Sequence, residues 1–148
     1  MSDLIQESER SLLCAMLQSV PAADLGGSIV DRSAFTNTLH ADVWQAIRDQ
    51  ARTGGVDVTL VAQRLQIDSP RAVGLLPDIA TLGTPVVALR QHAATLNAAS
   101  RQREVLKATE RIQQAATELD PSDFEAFAAA QMSLAGEALE GTGEESAV

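Results

Sequence analysis

Residues 84–139 read TPVVALRQHAATLNAASRQREVLKATERIQQAATELDPSDFEAFAAAQMSLAGEAL, and the fold turns on how this stretch is parsed. Thr84-Pro85 is a cap residue followed by proline, which is a helix start. No further proline or glycine occurs from Val86 to Glu118. A helix of about 33 residues would be roughly 50 Å long, about three times the usual length. Asp120-Pro121 then repeats the cap-proline signal, and Ser122 to Glu140 is again free of proline. Val105, Thr109, Ile112, Ala116 and Leu119 recur at spacings of four and three on the first helix. Phe124, Phe127, Gln131, Leu134 and Ala138 recur at three and four on the second. Two seams joined by so short a turn predict an antiparallel helical hairpin. The seams are rich in alanine, so helices approach closely but each contact buries little. Such a hairpin is expected to pack on a second copy of itself or on another protein.

Upstream, the chain reads as a series of short helices. The first is expected from Ser2 or Asp3 to Gln18, with Ile5, Leu12, Leu13, Met16 and Leu17 inward. Pro21 opens a second through Leu25, which Gly26-Gly27 interrupts or ends. A third runs from about Leu39 to Arg52 with Val43, Trp44, Ile47 and Ala51 on one face, closed by Gly54-Gly55. Asp57 caps a fourth through Leu65, with Leu60, Val61 and Leu65 inward. Ser69-Pro70 starts a further element that Pro77 prevents from running unbroken to Leu82. No alternating strand pattern of useful length is present, and aromatic residues make up only 3% of the chain. The expectation is therefore an all-α protein. It comprises a small globular helical head over 1–83, a long hairpin over 84–140, and a disordered acidic tail over 141–148.

Composition narrows the function. The net charge of -9 over 148 residues argues against direct nucleic-acid binding across the surface. One cysteine, Cys14, allows no internal disulfide and points to a reduced, cytoplasmic setting. The N-terminus shows no signal peptide, and no apolar stretch approaches the length of a membrane span. There is no G-x-x-x-x-G-K-[ST] phosphate loop, no H-E-x-x-H and no G-x-S-x-G elbow. With only His40, His92 and Cys14 as soft ligands, no metal or cofactor site is expected. No reaction is suggested, and a non-enzymatic protein is expected. Glu7, Glu9 and Arg10 read as a solvated helix start or a charged patch facing a partner. His40 and Trp44 read as structural. Arg103, Lys107 and Arg111, at intervals of four, form a basic stripe on the long helix.

Four stretches carry a resemblance. Glu7-Ser8-Glu9-Arg10-Ser11-Leu12-Leu13-Cys14-Ala15-Met16-Leu17 looks like an E-A-E-x-x-L-L-G-x-x-L opening. Phe35 with His40, Val43, Trp44 and Ile47 is similar to D-F-Y-x-x-x-H-x-x-I-(F/W)-x-A-I. Gly55 to Leu65 is similar to G-x-P-x-D-x-V-T-V-A-x-x-L. Thr84-Pro85 with Ala88 and His92 is similar to N-T-P-S-A-A-N-x-x-x-Y-A. In this order they make the chain resemble the N-terminal domain of DnaB-type replicative DNA helicases over residues 5 to 140.

The resemblance implies a head-and-hairpin fold whose hairpins pair two subunits, with three such pairs forming a collar where primase docks and loaders act. The expected partners are a second copy (a homodimer, or a trimer of dimers) and a replicative helicase, primase or helicase loader. The packing set expected at that interface is Leu96, Val105, Ile112, Leu119, Phe124, Phe127 and Leu134, surrounded by Arg103, Lys107 and Arg111. The family's ATPase motor would follow the hairpin and has no counterpart in this sequence. The chain is thus expected to be an excised helicase domain or a stand-alone copy. In the second case it would be of the kind a phage or mobile element carries to block helicase or primase assembly.

Overall fold

The computed structural model describes the backbone of residues 2–146 and the side chains of residues 3–140. Every regular element among them is helical. The α-helices are α1 (Ser2–Met16), α2 (Val20–Ile29), α3 (Thr38–Arg52), α4 (Val58–Asp68), α5 (Leu76–Ala80), α6 (Leu89–Glu118) and α7 (Pro121–Ser146). Short 3-10 turns cover Arg32–Ala34, Pro70–Leu75 and Val86–Ala88. The chain divides into two compact units, Met1–Ala98 and Ala99–Val148.

In the first unit α1 is the central helix. Leu12, Leu13, Cys14, Ala15 and Met16 are all buried, so the C-terminal half of the helix is covered on every side, while Asp3, Leu4 and Glu7 near its start are exposed. It packs on α2, α3, α5 and the Val86–Ala88 turn. Val43, Trp44 and Ile47 of α3, Val61 and Leu65 of α4, and Leu76 and Ile79 of α5 complete the core. Leu60, expected inward, is 39% exposed, because its helical neighbour Val61 takes the inward position, and Leu82, past the end of α5, is 47% exposed.

The N-caps are those that side-chain chemistry dictates. Ser19, Asn37 and Asp57 each accept from an amide in the first turn of α2, α3 and α4. Gly54, at φ 98°, sits where a side chain would be strained and ends α3.

Gly26-Gly27 does not end α2, which continues to Ile29. Both glycines are sites of close approach. A Cβ on Gly26 would lie 2.5 Å from Met16 Cγ and Sδ, and one on Gly27 would lie 2.1 Å from Arg48 Nε. Met16 is fully buried, whereas Arg48 is a long side chain at the surface of the unit that can swing away. Gly26→Ala is therefore expected to destabilise by about 1–3 kcal/mol, as overpacking does. Gly27→Ala is expected to be neutral or slightly stabilising, through the roughly 1 kcal/mol helix preference of alanine over glycine. Urea melts of the two variants, side by side, check this.

Two other boundaries differ from expectation. The long α-helix begins at Leu89, after a 3-10 turn whose N-cap is Pro85. The compact units part after Ala98 and not after Gly83. Leu89, Ala93 and Leu96 of α6 are fully buried in the head core, and Asn97 Nδ2 donates to the Ile29 carbonyl oxygen at 3.0 Å. Gln18 Nε2 likewise donates to the Thr84 carbonyl oxygen. The proline signal marks where the chain turns into the helix, and burial decides which unit the first turns join. The expected tail, 141–148, falls on residues whose side chains lie outside the described set, with 141–146 inside the last turns of α7.

Candidate interaction surface

The second unit is a two-helix layer made by α6 from Ala99 onward and α7. Ala108, Ala115 and Ala128 are buried, and Val105, Ile112, Phe124 and Phe127 are half-buried around them. The α6 seam therefore runs 105, 108, 112, 115, at alternating intervals of three and four. The sequence expectation had the right repeat in the wrong phase at two positions, since Thr109 and Ala116 are exposed. Thr109 Oγ1 instead donates back to the Val105 carbonyl oxygen at 3.0 Å. Alanine at the closest positions lets the backbones approach, which larger seam residues would prevent. On α7 the half-buried face is Phe124, Phe127, Gln131, Ala135 and Ala138. Leu134 is off this face and 55% exposed.

Of two polar contacts on this layer, one crosses between the helices and one runs along α6. Arg111 Nε donates to Gln131 Oε1 at 2.7 Å across the hairpin, and Lys107 Nζ pairs with Glu104 Oε1 at 3.4 Å along α6. Both cations are exposed, so each contact is worth little. Arg103 is half-buried and engaged in interactions of its own. Beside Arg111 runs an open groove of about 590 Å³, with Ala115, Leu119 and Phe127 as its apolar part and Lys107, Glu110 and Glu118 among its polar lining.

Of the expected interface residues, Val105, Ile112, Phe124 and Phe127 come together in this unit. Leu119, at its tip, is 40% exposed. Leu96 is not on this surface: it is fully buried in the head. Leu106, Met132, Leu134 and Leu139 are each more than half exposed. A two-helix layer has no second layer to cover them, so the unit presents apolar area to solvent on faces that its own seam does not use.

A polar cluster inside the head was not foreseen. Glu9 is fully buried. Its Oε2 accepts from the Thr36 amide at 3.0 Å and the Thr36 hydroxyl at 2.6 Å. Its Oε1 accepts from the Asn37 amide at 3.3 Å and lies 2.9 Å from His40 Nδ1. Burial pushes the Glu9 carboxyl up, but hydrogen bonds from His40, Thr36 and Asn37 outweigh it and hold the group below the usual glutamate value. One carboxylate thus ties α1 to the residues that open α3. The first two motif stretches meet here, Glu9 from one and His40 from the other. Their pairing was the available signal, and reading Glu9 by its position in a first turn hid it. A second clasp joins Arg32, Asp42 and Ser69. Burial raises the Asp42 carboxyl, and Arg32 and Ser69 more than offset it and lower it.

In both clusters the carboxylate oxygens accept from the protein's own donors. Among the described residues no group of three or more His, Cys, Asp or Glu side chains is placed to hold a metal, and no helix is long and apolar enough to cross a membrane.

The family model described as the DnaB-like helicase N terminal domain matches residues 3–97. The crystal structure of the N-terminal domain of DnaB helicase from Mycobacterium tuberculosis is similar, with a TM-score of 0.74 and 21% sequence identity. The match covers 84% of this chain and 92% of that one, and at this identity it is a likeness of fold. No curated protein matches the chain.

Proposed function

Since the chain belongs to the DnaB-like helicase N-terminal domain family, we propose that it is a non-enzymatic DNA-replication module. Its hairpin unit pairs with a second copy and engages a replicative helicase, primase or helicase loader. The observation that carries this reading is the exposed apolar set of the second unit. Leu106, Met132, Leu134 and Leu139 lie uncovered on a layer only two helices thick. A second such layer is the simplest cover, because four helices then share one core. The net charge of -9 favours a protein partner over a direct hold on nucleic-acid phosphates.

Light scattering on the purified chain across a range of concentrations tests the pairing. The expected result is a mass of two chains, or six, that falls toward one on dilution. Co-elution with a replicative helicase, primase or loader tests the docking. Ile112→Asp places a carboxylate in the half-buried seam without a partner and is expected to abolish both self-association and co-elution. A mass of one chain at every concentration overturns the self-pairing, and failure to co-elute with any of the three overturns the replication role.

A further inference from the structure

We propose that the turn from Leu82 to Arg90 is a docking surface for an acidic, aliphatic segment of a protein partner. The surface lies in the first unit and does not depend on the pairing of hairpins.

The turn is held at both ends and bare in the middle. Gly83 takes the left-handed conformation at φ 72°, and the buried Thr84 gives its carbonyl oxygen to Gln18 Nε2. Leu89, fully buried in the head core, fixes the other end. Between them Pro85, at φ -73°, leads into the Val86–Ala88 turn. Leu82, Pro85 and Val86 are exposed, and Val87 is 88% exposed. The N-T-P-S-A-A-N pattern that this turn resembles has serine and alanine where Val86 and Val87 stand, so the turn itself does not ask for valine. Single exposed apolar residues are ordinary, but a contiguous set marks an interaction surface. A surface already fixed by its flanks also loses little freedom when it is covered.

Charge chooses the partner. The chain carries 20 Asp and Glu against 11 Lys and Arg, yet Ile79 to Arg103 holds no carboxylate and is its longest such stretch. Asp78, one turn before Leu82, is the nearest acid in sequence. Arg90 follows Val87 in the first turn of α6 and is exposed. Among the described residues it makes no hydrogen bond or ion pair. Its guanidinium is therefore open to a carboxylate from outside, which arginine holds in a two-bonded fork. A basic segment would set like charge against Arg90, and a neutral one would cover it without a counter-charge, which is costly. An acidic, aliphatic segment meets both parts. Its apolar side chains cover Val86 and Val87, and its carboxylates pair with Arg90. Opposite charge across the contact also excludes wrong partners.

The probe is a short fluorescein-labelled peptide of leucine pairs alternating with glutamate. Anisotropy titration with the full chain at low salt reads its binding. Versions with lysine for glutamate, or alanine for leucine, are the controls. Val87 is almost wholly exposed and Arg90 makes no bond in the fold, so Val87→Ser and Arg90→Glu should keep the parent's urea melt. The leucine–glutamate peptide is expected to bind, and both controls to bind at least about tenfold more weakly, as follows when a central contact is lost. Val87→Ser and Arg90→Glu are each expected to weaken the peptide's binding by a similar factor, while Leu134→Ala, in the second unit, leaves it unchanged. No binding of the leucine–glutamate peptide overturns the proposal. So does equal binding of the lysine version, or an affinity that Val87→Ser and Arg90→Glu leave as it was. The mass of the chain in solution tests the hairpin pairing separately.

Discussion

Replacing Glu9 with alanine is expected to destabilise the head by about 3–5 kcal/mol, the usual result of removing one member of a buried charged network. The loss does not come mainly from attraction forgone. The amides of Thr36 and Asn37, the Thr36 hydroxyl and His40 Nδ1 all point at a carboxylate that is fully buried. Deleting it leaves donors with neither protein nor bulk water to bond, and unmade bonds in a buried site cost more than made ones gain. The single tryptophan reports the outcome. Trp44 is buried against Phe35, with ring centroids 6.4 Å apart, so its emission shifts red on unfolding and a urea melt reads the change directly.

The same residue sets an acid limb. Because the folded protein holds the Glu9 carboxyl below its unfolded value, the ionised form contributes stability that is fully present above the unfolded value. That contribution is lost as pH falls through the folded one. Asp42, also lowered, acts in the same direction. Stability should therefore drop in the acid range below the ordinary carboxylate values, and the drop should be shallower in Glu9→Gln, which cannot titrate. Equal acid limbs in the two proteins would show that the Glu9 carboxyl titrates alike in the folded and unfolded chain, against the lowered value its hydrogen bonds produce.

Leu96→Ala and Leu134→Ala make the second large contrast. Both leucines look alike in sequence, as apolar residues on long proline-free helices. Leu96 is fully buried among the head's core residues, so its truncation is expected to cost about 2–5 kcal/mol and to leave self-association unchanged in the folded fraction. Leu134 is 55% exposed, so its truncation should alter the stability of the single chain by no more than about 0.5 kcal/mol. Any effect of Leu134→Ala should appear in the concentration dependence of the solution mass. The opposite pattern, a soft Leu96 and a costly Leu134, would place the division between the two units elsewhere.

Much of the fold was open to reading from local signals. Ser19, Asn37 and Asp57 cap helices because their side chains accept bonds from first-turn amides, a choice made within four residues. Pro77 ended the Pro70–Leu75 turn's run and started α5 for equally local reasons. The antiparallel hairpin followed from two long apolar repeats and a turn of a few residues. The phase of the α6 seam did not follow. Positions 105, 108, 112 and 115 and positions 105, 109, 112 and 116 fit a helical period equally well. Only the facing helix selects the alanines at 108 and 115, which allow the approach. Gly26-Gly27 was misread for a related reason. Alone, a glycine pair favours a helix end, but Met16 and Arg48 occupy the space where side chains would go, and α2 passes through.

By itself the sequence determined what is local: helical class, caps, turn positions, the net charge, and the lack of any phosphate-loop or zinc-binding pattern. Its four motif stretches also carried the family. The tertiary structure alone decided three things. Glu9 is a buried tie to Thr36, Asn37 and His40, not a solvated residue of a first turn. The root of α6 through Leu96 and Asn97 belongs to the head. Leu119 and Leu134 are left exposed. Each of these depends on which distant residue comes to lie alongside, and burial is a property of the pair, not of either residue's place in the chain.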